Sequence, residues 1–387
     1  MLAVFPLAAL AGHGSYPGGG DGSYPGGRRL LFGTLPNAAK STYSVGGALT
    51  AGTHSVGGRN FTVHLPPITP APVVISLHGN GGDGQSATDI KDGNRELAAT
   101  HILIGPDGPE NSWNIKAEAS KLDDALYIGT TLVNHLATFS NVVPTFGLYG
   151  FSNGAALSNR ILIENDDPRI AWAITDGSQL NTLQYRGAFY VGGSDNAYTT
   201  PKAALTPRRL LQITGARDDT IPATGGASVI PDGLGGVVNF VDWQVSANAY
   251  ARAYGYTGGQ ASLSPNDANT AQASYLNGQV VAVNFKSGGH VLGAAKTRAT
   301  VNAFLASTPA GLPPPPPASS SPLVVSSPPP PSTASTPACA DVGFPDDPEF
   351  KCADEAEACN DTSDLDWYNE LRQACAKTCN ACGPVTG

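Results

Sequence analysis

No cysteine occurs before Cys339, so the large N-terminal part must hold itself together by burial, without disulfides. Clustered basic charge is also missing. Lys and Arg come at most in short pairs such as Arg28-Arg29 and Arg208-Arg209 in a chain of net charge −9, so nothing tracks a phosphate backbone and nucleic-acid binding is not expected. No apolar run reaches the roughly 18 to 20 residues of a spanning helix, so no membrane span is expected and the mature protein reads as soluble.

What is present divides unevenly. With 387 residues and 41% hydrophobic content, the chain can build one domain of ordinary size and something smaller. The opening MLAVFPLAALAG has the apolar stretch and small-residue end of a signal peptide without its basic start. Two SYPGG repeats follow in a Gly/Pro-rich arm that cannot bury a core. The expected layout is signal and disordered arm over 1–42, catalytic domain over 43–307, Pro/Ser-rich linker over 308–337, cysteine-rich module over 338–383 and a tail over 384–387. All six cysteines, Cys339, Cys352, Cys359, Cys375, Cys379 and Cys382, lie in that module. An even, dense set in a short segment reads as a disulfide framework and implies an oxidising, extracellular setting. The sequons Asn60-Phe61-Thr62 and Asn360-Asp361-Thr362 agree with secretion and mark Asn60 and Asn360 as candidate glycosylation sites.

Within 43–307, apolar strand patterns at 61–65, 72–77, 102–104, 146–149, 171–174, 210–214 and 280–285 alternate with helical spacing at 123–139, 155–163 and 295–305. Asn277-Gly278 predicts a two-residue hairpin turn before the last strand. The histidines His13 and His54 fall in polar, Gly-rich sequence. The fold class is therefore α/β, a mostly parallel sheet with helices on both faces.

Acyl transfer needs a hydroxyl on a sharp turn, a base within reach and amide donors where the oxyanion forms. Gly150-Phe151-Ser152-Asn153-Gly154 fits G-x-S-x-G between a strand and a helix, with Ser152 as nucleophile. The strand at 73–77 runs into His78-Gly79-Asn80-Gly81-Gly82, an HG-x-G loop whose Asn80 amide, with that of Asn153, is the candidate oxyanion hole; His78 is expected to pin the loop. His290, in Ser287-Gly288-Gly289-His290, is the histidine that follows a late strand in a flexible turn, so it is the candidate base. The acid lies in Arg217-Asp218-Asp219-Thr220, where spacing alone does not choose between the two carboxylates.

With Gly105-Pro106-Asp107-Gly108, Ser112-Trp113-Asn114, Asp123-Asp124 and Gly215 to Pro222 added, residues 60–306 resemble the secreted esterase family that contains polyhydroxybutyrate depolymerases and feruloyl or acetylxylan esterases, a branch of the α/β-hydrolases. The resemblance implies an α/β-hydrolase fold and selects Asp218, three residues after the glycine and four before the proline. It implies a cleft-lining, substrate-binding Trp113, whose other reading is a core aromatic. Phe151 and Val291-Leu292 depart from the methionine and Thr-Trp common in that family, and they bear on the acyl pocket. Selectivity is expected from loops 179–208 and 255–269.

The tail resembles the ShK toxin-like cysteine module, most specifically in Cys375-Ala376-Lys377-Thr378-Cys379-Asn380-Ala381-Cys382. That resemblance implies the pairs Cys339–Cys382, Cys352–Cys375 and Cys359–Cys379. No metal and no organic cofactor is expected. The expected activity is that of a secreted or wall-associated serine carboxylester hydrolase acting on polymer-linked or polyester substrates, its tail binding a surface or matrix partner. The rival readings are an inactive hydrolase-fold scaffold and a serine peptidase of the same fold.

Overall fold

The computed structural model describes residues 46–264 and 269–307. The N-terminal arm, the linker, all six cysteines, Asn360 and His13 lie outside the described residues.

Nine strands form one sheet: β1 (Gly52–Val56), β2 (Arg59–His64), β3 (Ala71–Leu77), β4 (Ile102–Pro106), β5 (Val142–Phe151), β6 (Ile170–Asp176), β7 (Arg209–Gly215), β8 (Thr270–Tyr275) and β9 (Val280–Phe285). Their order is β1-β2-β4-β3-β5-β6-β7-β9-β8. The six strands from β4 to β9 in that order run parallel. At one edge β2 pairs antiparallel with both β4 and β1, and at the other β8 pairs antiparallel with β9. The inner strands carry Val, Ile and Leu on both faces because both faces are covered.

Helices α1 (Ser86–Gly93), α2 (Arg95–Thr100) and α6 (Ala294–Ala306) cover one face. Its core joins Val74, Leu103, Ile174, Leu211 and Val283 to Leu97 and Phe304. The other face is covered by α3 over 124–136, with a π-helical stretch at Tyr127–Leu132, and by α4 (Asn153–Glu164) and α5 (Trp243–Ala253). There Val73, Ile75, Phe146 and Leu148 pack on Ile128, Leu157, Ile161 and Tyr250. This strand order with an antiparallel second strand, and helices on both faces, is an α/β-hydrolase fold. Among the described residues no helix is long and apolar enough to cross a membrane.

One expectation needs correction. The turn before β9 is four residues long, because Tyr275 pairs with Val280; Leu276, Asn277 and Gly278 all take positive φ to close it. His54 lies in edge strand β1 and stacks on Phe61 at 5.6 Å. Strand β1 has few apolar residues and is ordered by its ladder with β2. A two-stranded ribbon, Gly226–Pro231 with Val237–Phe240, also forms outside the main sheet.

Candidate active site

Strand β5 ends at Phe151 and α4 begins at Asn153, which leaves Ser152 to make the turn alone at φ 53°, ψ −114°. A non-glycine residue held there is strained. The Ser152 amide donates to the Asp176 carbonyl at 2.8 Å. The flanking glycines are required by close approach: a Cβ at Gly150 would lie 2.2 Å from the Gly154 carbonyl oxygen, and one at Gly154 would lie 2.1 Å from that of Leu77.

Ser152 Oγ lies 2.8 Å from Nε2 of His290, which sits in the loop between β9 and α6. His290 Nδ1 is 2.8 Å from Asp218 Oδ2, in the loop after β7. The other carboxylate oxygen of Asp218 accepts the amides of Thr220 (2.9 Å) and Ile221 (2.8 Å). An acid so held favours the tautomer with its proton on Nδ1, leaving Nε2 to accept from the serine. The Asp218 side chain is buried, whereas the neighbouring Asp219 is exposed.

Asn80, Ser152 and Asn153 line one cleft of about 450 Å³. The backbone amides of Asn80 and Asn153 have no acceptor among the described residues, whereas the next two in the loop are bonded, Gly81 to Asn111 and Gly82 to Gly79. His78 is buried: its Nε2 accepts the Gly108 amide at 3.0 Å and its Nδ1 donates to the Gly79 carbonyl at 2.8 Å. Burial holds this imidazole below its ordinary pKa, and the neutral ring pins the loop.

Trp113 is corrected from cleft to core. It is 0% exposed, its Nε1 donates to the His78 carbonyl at 2.8 Å and its ring lies 4.6 Å from that of His78. No surface of it is left for a substrate. The backbone of Trp113 instead holds Asn153: the Asn153 Oδ1 accepts its amide at 2.6 Å, and Nδ2 donates to its carbonyl at 3.1 Å and to Glu118 at 3.2 Å. Asp123 caps α3, and Asp124 is buried with Arg59. Asn60, in β2, is exposed.

Several cleft residues were not anticipated. Ile221, Ile230, Val238 and Phe240 form an apolar wall, the last three from the ribbon, with Asn181 and Leu183 from the 179–208 loop. No described residue of 255–269 lines the cleft. Glu118 was legible only as one more charge: beside Asn153 Nδ2 on one oxygen, its Oε2 accepts the backbone amides of Ile115 and Lys116. Among the described residues no cluster of His, Cys, Asp or Glu is arranged to hold a metal ion.

No family model matches the chain, and no curated protein does. Among solved structures, an acetyl xylan esterase from Aspergillus awamori is similar at 14% identity, over 61% of this chain and 90% of that one, with a TM-score of 0.43. A phospholipase/carboxylesterase from Dyadobacter fermentans is similar at 16% identity, over 67% and 99%, with a TM-score of 0.41. For a Bacillus cereus carboxylesterase the values are 12%, 64%, 94% and 0.37. Strand order and direction by themselves make this an α/β-hydrolase fold.

Proposed function

We propose that the protein is a serine carboxylester hydrolase. The observation that carries this reading is the chain of 2.8 Å contacts from Asp218 through His290 to Ser152, ending in a cleft beside two unpaired amides. Ser152 Oγ attacks the ester carbonyl as His290 Nε2 takes its proton, and the developing oxyanion is met by the amides of Asn80 and Asn153. The imidazolium then protonates the departing alkoxide, and the alcohol leaves an acyl-Ser152. Water, deprotonated by the same nitrogen, releases the acid and restores the serine.

Secretion, and a substrate linked to a polymer or itself a polyester, belong to the same proposal. Its supports are the disulfide-type cysteine set, the two sequons and the resemblance of residues 60–306. The cysteine module is proposed to hold the enzyme on a surface, and a chain truncated after Thr308 should then keep its activity on a soluble ester and lose retention on an insoluble one.

The decisive experiment is Ser152→Ala, assayed with p-nitrophenyl butyrate and a fluorophosphonate probe. Turnover should fall by at least about 10⁴-fold, and labelling should vanish with the circular dichroism spectrum unchanged. Retained turnover in the folded variant would remove Ser152 from the mechanism, and absence of labelling in the unaltered protein would favour an inactive scaffold.

A further inference from the structure

Two cavities meet at Asn80. The cleft that holds Ser152 is walled by the apolar ribbon, whereas a second cavity of about 900 Å³ opens between the candidate oxyanion loop, α1 and the start of α6, and Asn80 lines both. Phe151 lines only the second. Its ring stands at the junction: a Cβ built on Gly79 would lie 2.9 Å from Phe151 Cδ1 and 3.4 Å from Ser152 Cβ, and the ring centre is 5.4 Å from that of His290.

An ester whose carbonyl oxygen rests on the Asn80 amide therefore has one arm for each cavity. The base protonates the departing alkoxide, so the alcohol arm must leave on the side of His290. Val291 and Leu292, the two residues that follow His290, line the second cavity, and neither lines the cleft. The alcohol arm thus falls to the second cavity and the acyl arm to the ribbon cleft.

The second cavity is not built for a hydrocarbon. Asp83, Asp89 and Arg298 are exposed along its lining. Asp176, which ends β6 opposite Phe151 of β5, lines it from within; the residue is 7% exposed, and its Oδ1 is buried with no partner among the described residues. That sets it apart from the other two buried aspartates. Asp124 is met by Arg59 and the Asn114 amide, and Asp218 by two amides and His290. A carboxyl without hydrogen-bonded compensation is costly to bury, and the triad needs no second acid.

We propose that the second cavity is the alcohol subsite and that Asp176 is its specificity-determining residue, the carboxyl accepting a hydrogen bond from a further hydroxyl on the alcohol arm. The inference rests on the hydrolase reading above. Esters whose alcohol carries a free hydroxyl are selected over esters whose alcohol is a plain hydrocarbon, because the hydrocarbon leaves the buried carboxyl without a donor.

The test compares two butyrate esters of matched shape, glycerol monobutyrate and 2-methylbutyl butyrate, in which methyl groups replace the free hydroxyls. The unaltered enzyme should favour the glycerol ester in kcat/KM by at least about tenfold. Asp176→Leu, close in volume and without an acceptor, should bring the two esters toward parity. Equal rates in the unaltered enzyme, or a preference that Asp176→Leu leaves in place, overturn the proposal. Butyrylcholine carries a charge and no donor on its alcohol arm, and its turnover ahead of the glycerol ester would overturn the hydrogen-bond reading. Stability supplies a readout free of substrate: the Tm of Asp176→Leu should be no lower than that of the unaltered protein. A lowered Tm would show that the carboxyl has a structural partner and would likewise overturn the proposal. Turnover of p-nitrophenyl butyrate tests the hydrolase reading by itself. If that ester is cleaved and the matched pair is not discriminated, only the subsite falls.

Discussion

Gly154 and Leu77 meet backbone to backbone, since a Cβ built on the glycine would lie 2.1 Å from the leucine carbonyl oxygen. The first turn of α4 is thereby seated against the end of β3, where the candidate oxyanion loop begins. Neither side of that contact is a flexible side chain, so Gly154→Ala must displace one of the two backbones. It should cost about 1–3 kcal/mol or more and move Ser152 relative to Asn80. A lowered Tm together with slowed fluorophosphonate labelling is the expected result, and unchanged labelling would show that the two elements yield without consequence.

Asp218→Asn tests the orientation of the base. The amide oxygen can still accept the Thr220 and Ile221 amides, so the loop should keep its shape. The NH2 group would then face His290 Nδ1 as a donor and favour the tautomer with its proton on Nε2, which cannot accept from Ser152. A fall in kcat of about 10⁴-fold with KM little changed is expected.

Burial depresses the pKa of His64, His78, His101 and His135. A histidine whose folded value lies below the unfolded one adds stability that is whole above the unfolded value of about 6.5. That stability drains away as pH falls from there toward the folded value. Tm should therefore carry an acid-side decline below pH 6.5 that His78→Asn makes shallower, because His78 must give up the Gly108 bond when it protonates. Thermal scans of both proteins from pH 7.5 to 5 check this, and parallel curves would exclude His78 as a contributor.

Arg160, 1% exposed on α4, ties three segments together. It bonds Glu164 at 2.8 Å, the Asn114 carbonyl and Asn196 Oδ1 at 2.7 Å each, and the Gly193 carbonyl. Arg160→Ala strands these acceptors and leaves Glu164 without its counter-charge, which should cost about 3–5 kcal/mol. At about 2–4 °C per kcal/mol for a domain of this size, the loss reads directly as Tm. A drop of only a degree or two would mean that water replaces the guanidinium.

The Ser152 turn was legible because its geometry tolerates so few sequences: two glycines at fixed offsets, demanded by backbone contact, between a strand and a helix. His290 was legible from chain order, and the choice of Asp218 over Asp219 needed the family resemblance. What stayed hidden depends on contacts that leave no periodic trace. Glu118 is bound in part to amides of its own loop, and the short ribbon strands at Gly226–Pro231 and Val237–Phe240 are set among Gly225, Gly233, Gly235 and Gly236. Trp113 misled because an aromatic beside the candidate oxyanion loop looks the same in sequence whether it faces the cleft or the core. Asp176, followed by a glycine, reads as an ordinary strand end.

To the chain at Trp113, the Asn153 side chain behaves as the edge of a neighbouring strand, accepting the amide and donating to the carbonyl of one residue. Glu118 closes the arrangement from the same loop. That wall of the cleft is thus latched to the residue next to Ser152, and swinging it outward would drag α4 with it. The apolar part of the lining belongs largely to the ribbon, through Ile230, Val238 and Phe240. In the proposed hydrolase the cleft works as a vice: the latched loop sets the accuracy of attack, and the ribbon opposite in the lining sets the size of ester admitted.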